Sequence, residues 1–291
     1  MINHWIEAMR LRTLPVSIAG VIVATSYSIV DQSFNWLPTL LCLLFALLAQ
    51  VSSNFANEYY DYRDGLDKAG RVGPRRGVTE GDITPRAMLI ATLSTLASAC
   101  LVGCCLIYWG GWWMVPIGLM IALGVIAYSA GPYPLSRNGL GEVAVVFFFG
   151  IIPVNFTYYL QSLHFDASVA LGSIAIGLMG ANVLIVNNYR DADDDRLVGK
   201  RTLAVIFGRS FASRLYLING LMAMVLMIPT VMKLPWLAVA VLAYMALHLR
   251  LWKSLTTLTR QALNPLLGKT AKAMLAYAML FVVIAIIATV V

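Results

Sequence analysis

The chain has 291 residues, of which 60% are hydrophobic and only 12% are charged. Soluble domains carry about 45–50% apolar and about 25% charged residues, so this composition excludes an ordinary soluble enzyme. Because one membrane-spanning helix needs about 20 apolar residues, the chain can supply about eight or nine spans and little else. We therefore expect an all-α, polytopic membrane protein that forms one domain over residues 1–291.

Apolar runs separated by polar or Gly/Pro-rich segments predict nine transmembrane helices. In chain order they are Leu14–Val30, Leu37–Ser53, Met88–Tyr108, Met114–Ala130, Val143–Leu160, Val169–Val186, Phe211–Met232, Trp236–Leu249 and Leu275–Val291. The first run follows charged residues and has no convincing cleavage site, so we interpret it as the first anchor rather than a signal peptide. The eighth run is short, but removing it from the topology would spoil the charge pattern of the loops described next.

The basic residues define an orientation for these helices. All but one of the 21 Lys and Arg residues lie on one face of the predicted topology, and the exception is Lys233. The positive-inside rule therefore places the amino terminus and the long loops in the cytoplasm, and the carboxyl terminus on the outer side. This pattern also accounts for the net charge of +7, so we expect no nucleic-acid partner.

The acidic residues are concentrated in two clusters. Twelve of the 14 lie on the predicted cytoplasmic face, and most follow the second and sixth spans, where asparagines precede them. The first group is Asn54, Asn57, Glu58, Asp61, Asp64 and Asp67, and the second is Asn187, Asn188, Asp191, Asp193, Asp194 and Asp195. If both helices continue past their apolar runs, the spacing places Asn54, Asn57, Asp61 and Asp64 on one face of the first helix. It places Asn187, Asp191 and Asp195 on one face of the second.

The two clusters have matching positions. Asn57 and Asn187 are 130 residues apart, as are Asp61 and Asp191. This offset predicts two four-helix repeats, over about residues 10–135 and 140–265, with a ninth helix completing the wall of a central cavity.

Closely spaced carboxylates repel one another unless cations compensate them, and oxygen ligands favour a hard divalent ion such as Mg²⁺. Such an ion is commonly shared with substrate phosphates. Basic side chains near the clusters offer donors to those phosphates: Lys68, Arg71, Arg75, Arg76, Arg190, Arg196, Lys200 and Arg201. The alternative is a pair of solvated loops whose charges neutralise one another.

A third segment of the same face, from Tyr128 to Glu142, is rich in Gly and Pro (YSAGPYPLSRNGLGE). It either caps a pocket or forms a plain tight turn between the fourth and fifth helices.

These motifs resemble those of the UbiA-type intramembrane aromatic prenyltransferases, which have nine helices and two Asp-rich motifs. The similarity rests on NFANEYYDYRDGLD at residues 54–67, YSAGPYPL with GLGE at 128–142, and NNYRDADDDRLVGKRTLAV at 187–205. Within the superfamily the chain is most similar to the 1,4-dihydroxy-2-naphthoate polyprenyltransferases of menaquinone synthesis, because of the run from Asp67 through Arg71 and Arg76 to Gly77 and the GKRTLAV segment. Glu58 departs from the family, which commonly has Asp there, and the third acid lies ten positions after Asn57, at Asp67.

The resemblance implies a set of site residues. The catalytic residues are Asn57, Asp61, Asp191 and Asp195, which would bind Mg²⁺, with two ions expected. Asp64 and Asp67 are further candidate ligands. The residues expected to contact substrate are Asn54, Asp67, Lys68, Arg71, Arg76, Tyr128, Asn187, Asn188, Arg190 and Lys200.

The resemblance also implies the reaction: a polyprenyl diphosphate alkylates 1,4-dihydroxy-2-naphthoate, with decarboxylation, in the lipid of a bacterial cytoplasmic (inner) membrane. Another aromatic acceptor, such as 4-hydroxybenzoate, homogentisate, haem or a chlorophyllide, would use the same acidic motifs. An ion-coupled transporter would place ionisable residues at mid-membrane, where the predicted spans have none. A scaffold protein would not explain two acidic clusters at matching positions.

Overall fold

In a computed structural model, which describes residues 2–67 and 72–290, all regular secondary structure is helical. The α-helices are α1 (Ile2–Met9), α2 (Leu14–Val30), α3 (Trp36–Arg63), α4 (Pro85–Gly110), α5 (Met114–Ala127), α6 (Gly141–Val145), α7 (Ile152–Ser162), α8 (Ala167–Leu197), α9 (Leu203–Ile206), α10 (Gly208–Leu226), α11 (Ile228–Lys233), α12 (Leu237–Thr257) and α13 (Asn264–Val290). A π-helical segment, Val146–Ile151, joins α6 to α7, and 3₁₀ turns form at Leu135–Arg137 and Arg260–Leu263.

The helices confirm the predicted all-α membrane architecture, although they do not establish nine spans. Within the described residues, seven helical stretches are long and apolar enough to cross a membrane. An eighth results if α1 and α2, which are bent by 53° relative to each other, count as one span. The predicted fourth span corresponds to α5, which is apolar but has only 14 residues. The chain is a membrane protein, and the ninth span remains a prediction.

Two helices continue well beyond their predicted apolar runs. Helix α3 runs to Arg63 rather than Ser53, and α8 runs to Leu197 rather than Val186. At 1.5 Å per residue these helices of 28 and 31 residues are about 42–46 Å long, whereas the hydrocarbon core is about 30 Å thick. Both acidic clusters therefore lie largely on helical turns that extend beyond the apolar part of their helix.

Helix α8 is the most buried of the spanning helices. Small residues let the π-helical segment approach it backbone to backbone. A Cβ atom on Gly150 would lie 2.4 Å from the Ser173 carbonyl oxygen, and one on Gly177 would lie 2.7 Å from the Val146 carbonyl oxygen. Close approach through small residues is the usual way in which helices associate where lipid removes the hydrophobic driving force. This contact fixes α8 against the wall from which Phe148 and Phe149 project.

The largest core cluster joins α2, α7, α8, α10, α12 and α13. A smaller one holds α1 and the chain around residues 78–83 against α3 and α4, with Trp5 and Phe55 in edge-to-face contact at 5.6 Å between ring centroids. The Asn54 side chain adds a hydrogen bond to the Met9 carbonyl oxygen at 2.9 Å. These contacts bring the amino-terminal arm to the end of α3 that carries the first acidic cluster.

Candidate active site

A polar cavity of about 510 Å³ lies where α3 and α8 approach their carboxyl ends. It brings together most of the predicted site residues: Asn54, Asn57, Asp61, Arg76, Tyr128, Asn187, Asn188, Arg190, Asp191, Asp195 and Lys200 all line it. Asp64 and Asp67 are not among its lining residues. Lys68 and Arg71 lie outside the described residues, so their predicted roles remain predictions.

An apolar cavity of about 140 Å³ adjoins the polar one. Its walls come mainly from α3, α5 and the stretch from the π-helical segment to α7, and they are largely aliphatic and aromatic. Four residues line both cavities: Gln50, Ser53, Tyr128 and Phe149. The site therefore has a charged compartment and an apolar compartment that meet at a common neck, which we define by these four residues.

Asp61 is the centre of the first acidic cluster, and its side chain is only 1% exposed. Lys200 Nζ lies 2.9 Å from Asp61 Oδ2, and Arg137 Nη2 lies 3.2 Å from Asp61 Oδ1. Both cations come from distant loops. Gly199, with φ of +78°, reverses the chain after α8, and the Arg201 amide then donates to the Arg137 carbonyl oxygen at 2.8 Å. The 128–142 segment is thereby tied to the loop that follows the second cluster.

Asn57 lies one turn before Asp61 and is held by arginines. Its Oδ1 accepts hydrogen bonds from Arg10 Nη2 at 2.6 Å and Arg76 Nη2 at 3.1 Å, and its Nδ2 donates to Ser129 Oγ at 3.2 Å. Arg10 lies at the bend between α1 and α2, in the left-handed region with φ of +53°. This bend directs the Arg10 side chain into the polar cavity.

The other acids of the first cluster have protein partners. Arg63 Nε contacts Asp64 Oδ1 at 2.7 Å, and Arg137 Nη1 contacts Asp64 Oδ2 at 2.6 Å. The pKa of Asp64 lies below its ordinary value, chiefly because Arg63 donates a hydrogen bond to the carboxylate. Arg137 lowers this pKa further, and together the two arginines outweigh partial burial, which raises it.

Asp67 and Glu58 face the loop that follows α3. Asp67 Oδ2 lies 3.2 Å from Arg76 Nε, and Glu58 Oε1 accepts a hydrogen bond from the Val78 amide at 3.0 Å. Glu58, which departs from the family pattern, therefore anchors this loop.

In the second cluster, Asp191 forms an ion pair with the preceding residue, Arg190. Arg190 reaches both carboxylate oxygens, at 2.6 and 2.7 Å, and also donates to Asn187 Oδ1 at 2.7 Å and to Asn264 Oδ1 at 3.0 Å. The Arg190 and Asp191 side chains are only 1% and 4% exposed. Such a two-oxygen contact is the strongest form of this ion pair.

The remaining acids of α8 divide by face. Asp195 is buried in the cavity wall, whereas Asp193 and Asp194 are exposed on the other side of the helix. Asp193 pairs there with Arg209 at 3.1 Å. Helical spacing thus separates the acids that line the cavity from those that do not.

Two of the predicted substrate contacts also hold the protein together. Asn188 donates to Glu142 Oε1 at 2.9 Å, which links α8 to α6. Asn54 binds the amino-terminal arm, as described above, and accepts a hydrogen bond from Gln50 Nε2 at 3.1 Å.

The candidate metal ligands on the cavity wall suit a hard cation, because they offer oxygen atoms. They are Asn57, Asp61, Asp191 and Asp195. Over residues 2–67 and 72–290 no three Asp, Glu, His or Cys side chains are gathered as a metal site. Lys200, Arg137 and Arg190 instead compensate the carboxylates. The residues therefore fit a divalent ion by chemistry, and at Asp61 the ion would replace Lys200 as the carboxylate's partner.

Sequence reasoning missed several residues of the site. In the sequence, Arg10, Arg12 and Arg137 indicate only membrane orientation, although Arg10 and Arg12 line the polar cavity and Arg137 binds Asp61. For Arg137 a signal was present, because it lies in the Gly/Pro-rich segment that was considered a pocket cap. Asn264, which holds Arg190 and donates to the Val72 carbonyl oxygen at 3.2 Å, has no local signal.

Comparison with known proteins agrees with the motifs. The sequence model of the UbiA prenyltransferase family matches residues 14–275. The chain belongs to this family. It is 36% identical over 233 residues to the 1,4-dihydroxy-2-naphthoate octaprenyltransferase of Haemophilus influenzae, covering 74% of each chain. It is 34% identical over 244 residues to the enzyme of the same name from Mycobacterium tuberculosis, covering 82% of each. The predicted resemblance is confirmed.

Solved structures show the same fold. A UbiA homolog from Archaeoglobus fulgidus bound to DMAPP and Mg²⁺ superposes with a TM-score of 0.70 at 14% identity, covering 96% of this chain and 99% of that one. The apo structure of a UbiA homolog from Aeropyrum pernix gives a TM-score of 0.69 at 14% identity, with 100% and 99% covered.

Proposed function

We propose that this protein transfers a polyprenyl group from an allylic polyprenyl diphosphate to 1,4-dihydroxy-2-naphthoate, with loss of carbon dioxide, to give demethylmenaquinol. The observation that carries the proposal is the neck, where a charged cavity and an apolar cavity meet. A polyprenyl diphosphate has one charged end and one apolar end, so its reacting carbon belongs at such a junction. The choice of acceptor follows the relatives named for dihydroxynaphthoate.

Divalent metal use is supported by the Mg²⁺-bound homolog from A. fulgidus. In this chain Asn57, Asp61, Asp191 and Asp195 would hold Mg²⁺, with two ions proposed and Asp64 and Asp67 as additional candidate ligands. Bound Mg²⁺ supplies charge stabilisation to the departing diphosphate.

The chain's own cations surround the place where negative charge develops. Arg10, Arg76 and Lys200 line the polar cavity, and Arg137 shares Asp61 with Lys200. As the allylic carbon–oxygen bond breaks, its electrons pass to the diphosphate, and these donors stabilise that anion. Lys68 and Arg71 are proposed as additional diphosphate contacts. Arg190, engaged with three partners, keeps Asp191 in position.

The carbon–carbon bond forms at the neck. The electron-rich dihydroxynaphthoate ring attacks the allylic cation, and carbon dioxide and a proton leave, which restores the aromatic ring. Tyr128 and Phe149 line this position and exclude water from the cation.

We propose nine spans in two repeats, as the sequence predicts, in a bacterial cytoplasmic membrane, with the amino terminus and the polar cavity on the cytoplasmic side and the carboxyl terminus outside. The charge pattern supports this orientation. The orientation is tested in intact cells by labelling single cysteines, placed at residue 80 or 233 of a variant whose four native cysteines are replaced by Ala. We expect a membrane-impermeant reagent to label residue 233 alone. Labelling of residue 80 alone would show that the protein has the opposite orientation.

The acceptor is tested with purified protein, Mg²⁺, a prenyl diphosphate and a panel of aromatic acids. We expect prenylated naphthoquinol from dihydroxynaphthoate and no product from 4-hydroxybenzoate or homogentisate. Alkylation of one of those acids in place of dihydroxynaphthoate would show that the branch assignment is wrong.

A further inference from the structure

The neck contains a buried polar atom without a partner. Gln50 lines both cavities and is only 9% exposed. Among the described residues, no donor reaches its Oε1 atom. Leaving a buried acceptor unsatisfied destabilises a protein, so such an atom points to a donor that arrives with a ligand.

The orientation of this amide follows from its neighbours. Asn54 Nδ2 donates to the Met9 carbonyl oxygen, which leaves Asn54 Oδ1 as an acceptor. Gln50 must therefore present Nε2 to Asn54, and it does so at 3.1 Å. The amide oxygen is consequently the group available to a ligand.

Gln50 lies deeper than the diphosphate residues on the same face of α3. Gln50, Asn54, Asn57 and Asp61 are spaced by four, three and four residues, and all line the polar cavity. At 1.5 Å per residue Gln50 is about 10 Å along the helix from Asn57. A diphosphate held near Asn57 and Asp61 with its tail in the apolar cavity therefore passes its reacting carbon through the neck, where the attacking ring must also lie.

Only one substrate has a donor for this oxygen. A polyprenyl chain has no polar hydrogen, and a diphosphate coordinated by cations presents acceptors. The dihydroxynaphthoate ring has two phenolic hydroxyl groups. The donor missing at Gln50 therefore matches the acceptor substrate.

We propose that Gln50 accepts a hydrogen bond from a phenolic hydroxyl of the aromatic acceptor and so positions the ring against the allylic carbon. This inference rests on the proposed function. Oε1 lies just below the cavity surface, so the contact requires a small rotation of the amide, which the broad terminal torsion of Gln allows with Nε2 still within reach of Asn54. A hydrogen bond from the phenolic O–H to Oε1 leaves the proton on the phenol and increases the electron density of the ring, which favours attack on a cation.

The test replaces the amide by an apolar group of similar length, in Gln50→Met. Equilibrium binding to the purified full-length protein is measured for 1,4-dihydroxy-2-naphthoate and for 1-hydroxy- and 4-hydroxy-2-naphthoate, which each lack one hydroxyl. We expect the wild type to bind one of the two monohydroxy compounds about tenfold more weakly than the dihydroxy compound. In Gln50→Met this preference should fall to near unity, while the KM for prenyl diphosphate stays within about twofold.

Gln161→Met is the matched control, because Gln161 lies outside both cavities and accepts hydrogen bonds from the Asn35 amide and the Thr39 hydroxyl. It should keep the wild-type preference. An unchanged preference in Gln50→Met, or a raised KM for prenyl diphosphate alone, would overturn the inference and leave the proposed function standing. Should the variant fail to fold, equal binding of all three compounds by the wild type would overturn the inference by itself. Failure of the wild type to prenylate dihydroxynaphthoate would overturn the proposed function.

Discussion

The two acidic clusters neutralise their central carboxylates in different ways. Asp61, on α3, is paired with Arg137 and Lys200, which are 76 and 139 residues away in sequence. Asp191, on α8, is paired with the adjacent Arg190. The contacts of Arg137 and Lys200 with Asp61 are assembled by the tertiary structure, whereas the contact of Arg190 with Asp191 is local.

This difference indicates a division of labour. Lys200 has only the Asp61 carboxylate as a side-chain partner in the described part of the chain, so it can turn towards a diphosphate when a metal ion replaces it. Arg190 has three side-chain partners and is almost fully buried, so any movement of its guanidinium would break the two-oxygen contact to the buried Asp191 carboxylate. We infer that the first cluster exchanges partners during catalysis and the second stays fixed.

The largest expected effect comes from removing the central charge of either cluster. Asp61→Asn or Asp191→Asn should lower kcat by about a thousandfold or more, because each removes a proposed ligand of the Mg²⁺ that would stabilise the departing diphosphate. Thermal unfolding in detergent should show that the fold is retained. A variant with the wild-type rate would remove that residue from the proposed metal site.

Replacement of Lys200 should affect mainly activity, whereas replacement of Arg190 should affect mainly stability. Lys200→Met should lower kcat/KM for prenyl diphosphate by about a hundredfold with little change in stability, because Arg137 still pairs with Asp61. Arg190→Met should instead destabilise the fold by about 3–5 kcal/mol, because it removes the two-oxygen contact to the buried Asp191 carboxylate. Steady-state kinetics and unfolding are compared for both variants, and the reverse assignment of effects would refute the proposed division of labour.

The backbone contact that fixes α8 gives a purely structural prediction. Gly177→Val should destabilise the protein by about 1–3 kcal/mol, because its Cβ would lie 2.7 Å from the Val146 carbonyl oxygen. Gly268→Val in α13 is the control, since nothing lies within 4 Å of a Cβ there. Equal unfolding temperatures for the two variants would show that α8 is not held by this close approach.

The smallest effect on catalysis is expected at Asp193, which lies on the face of α8 opposite the polar cavity. Asp193 is exposed and pairs with Arg209 on the surface, and such pairs contribute about 0–1 kcal/mol. Asp193→Asn should leave kcat and KM within about twofold of the wild type. A loss comparable to that of Asp191→Asn would show that α8 presents a different face to the substrate.

The sequence was most informative where one helix alone determines the outcome. The spacing of Asn57 and Asp61, and of Asn187, Asp191 and Asp195, predicts a shared helical face once each helix continues, and all five residues line one cavity. Apolar runs predicted the spans, although α5 is shorter than predicted and the seventh predicted span breaks between Leu226 and Ile228.

The rest depends on contacts between distant segments. The pairing of Lys200 with Asp61 requires the turn at Gly199, and the contact of Arg10 with Asn57 requires the bend after α1. Neither contact has a periodic signal, because each joins a loop to a helix far along the chain. The π-helical turn at Val146–Ile151 also has no sequence signature that separates it from an ordinary apolar helix.

The central claim is that one chain brings a metal-bound diphosphate and an aromatic acceptor together at the neck. Its most direct test is to incubate the purified protein in lipid with dihydroxynaphthoate and a polyprenyl diphosphate, and to quantify diphosphate and prenylated naphthoquinol in the same sample. We expect both products to form in equal amounts with Mg²⁺ and neither to form when Mg²⁺ is chelated. Formation of the prenylated product at an undiminished rate without a divalent ion, or release of diphosphate with no alkylated ring, would contradict it.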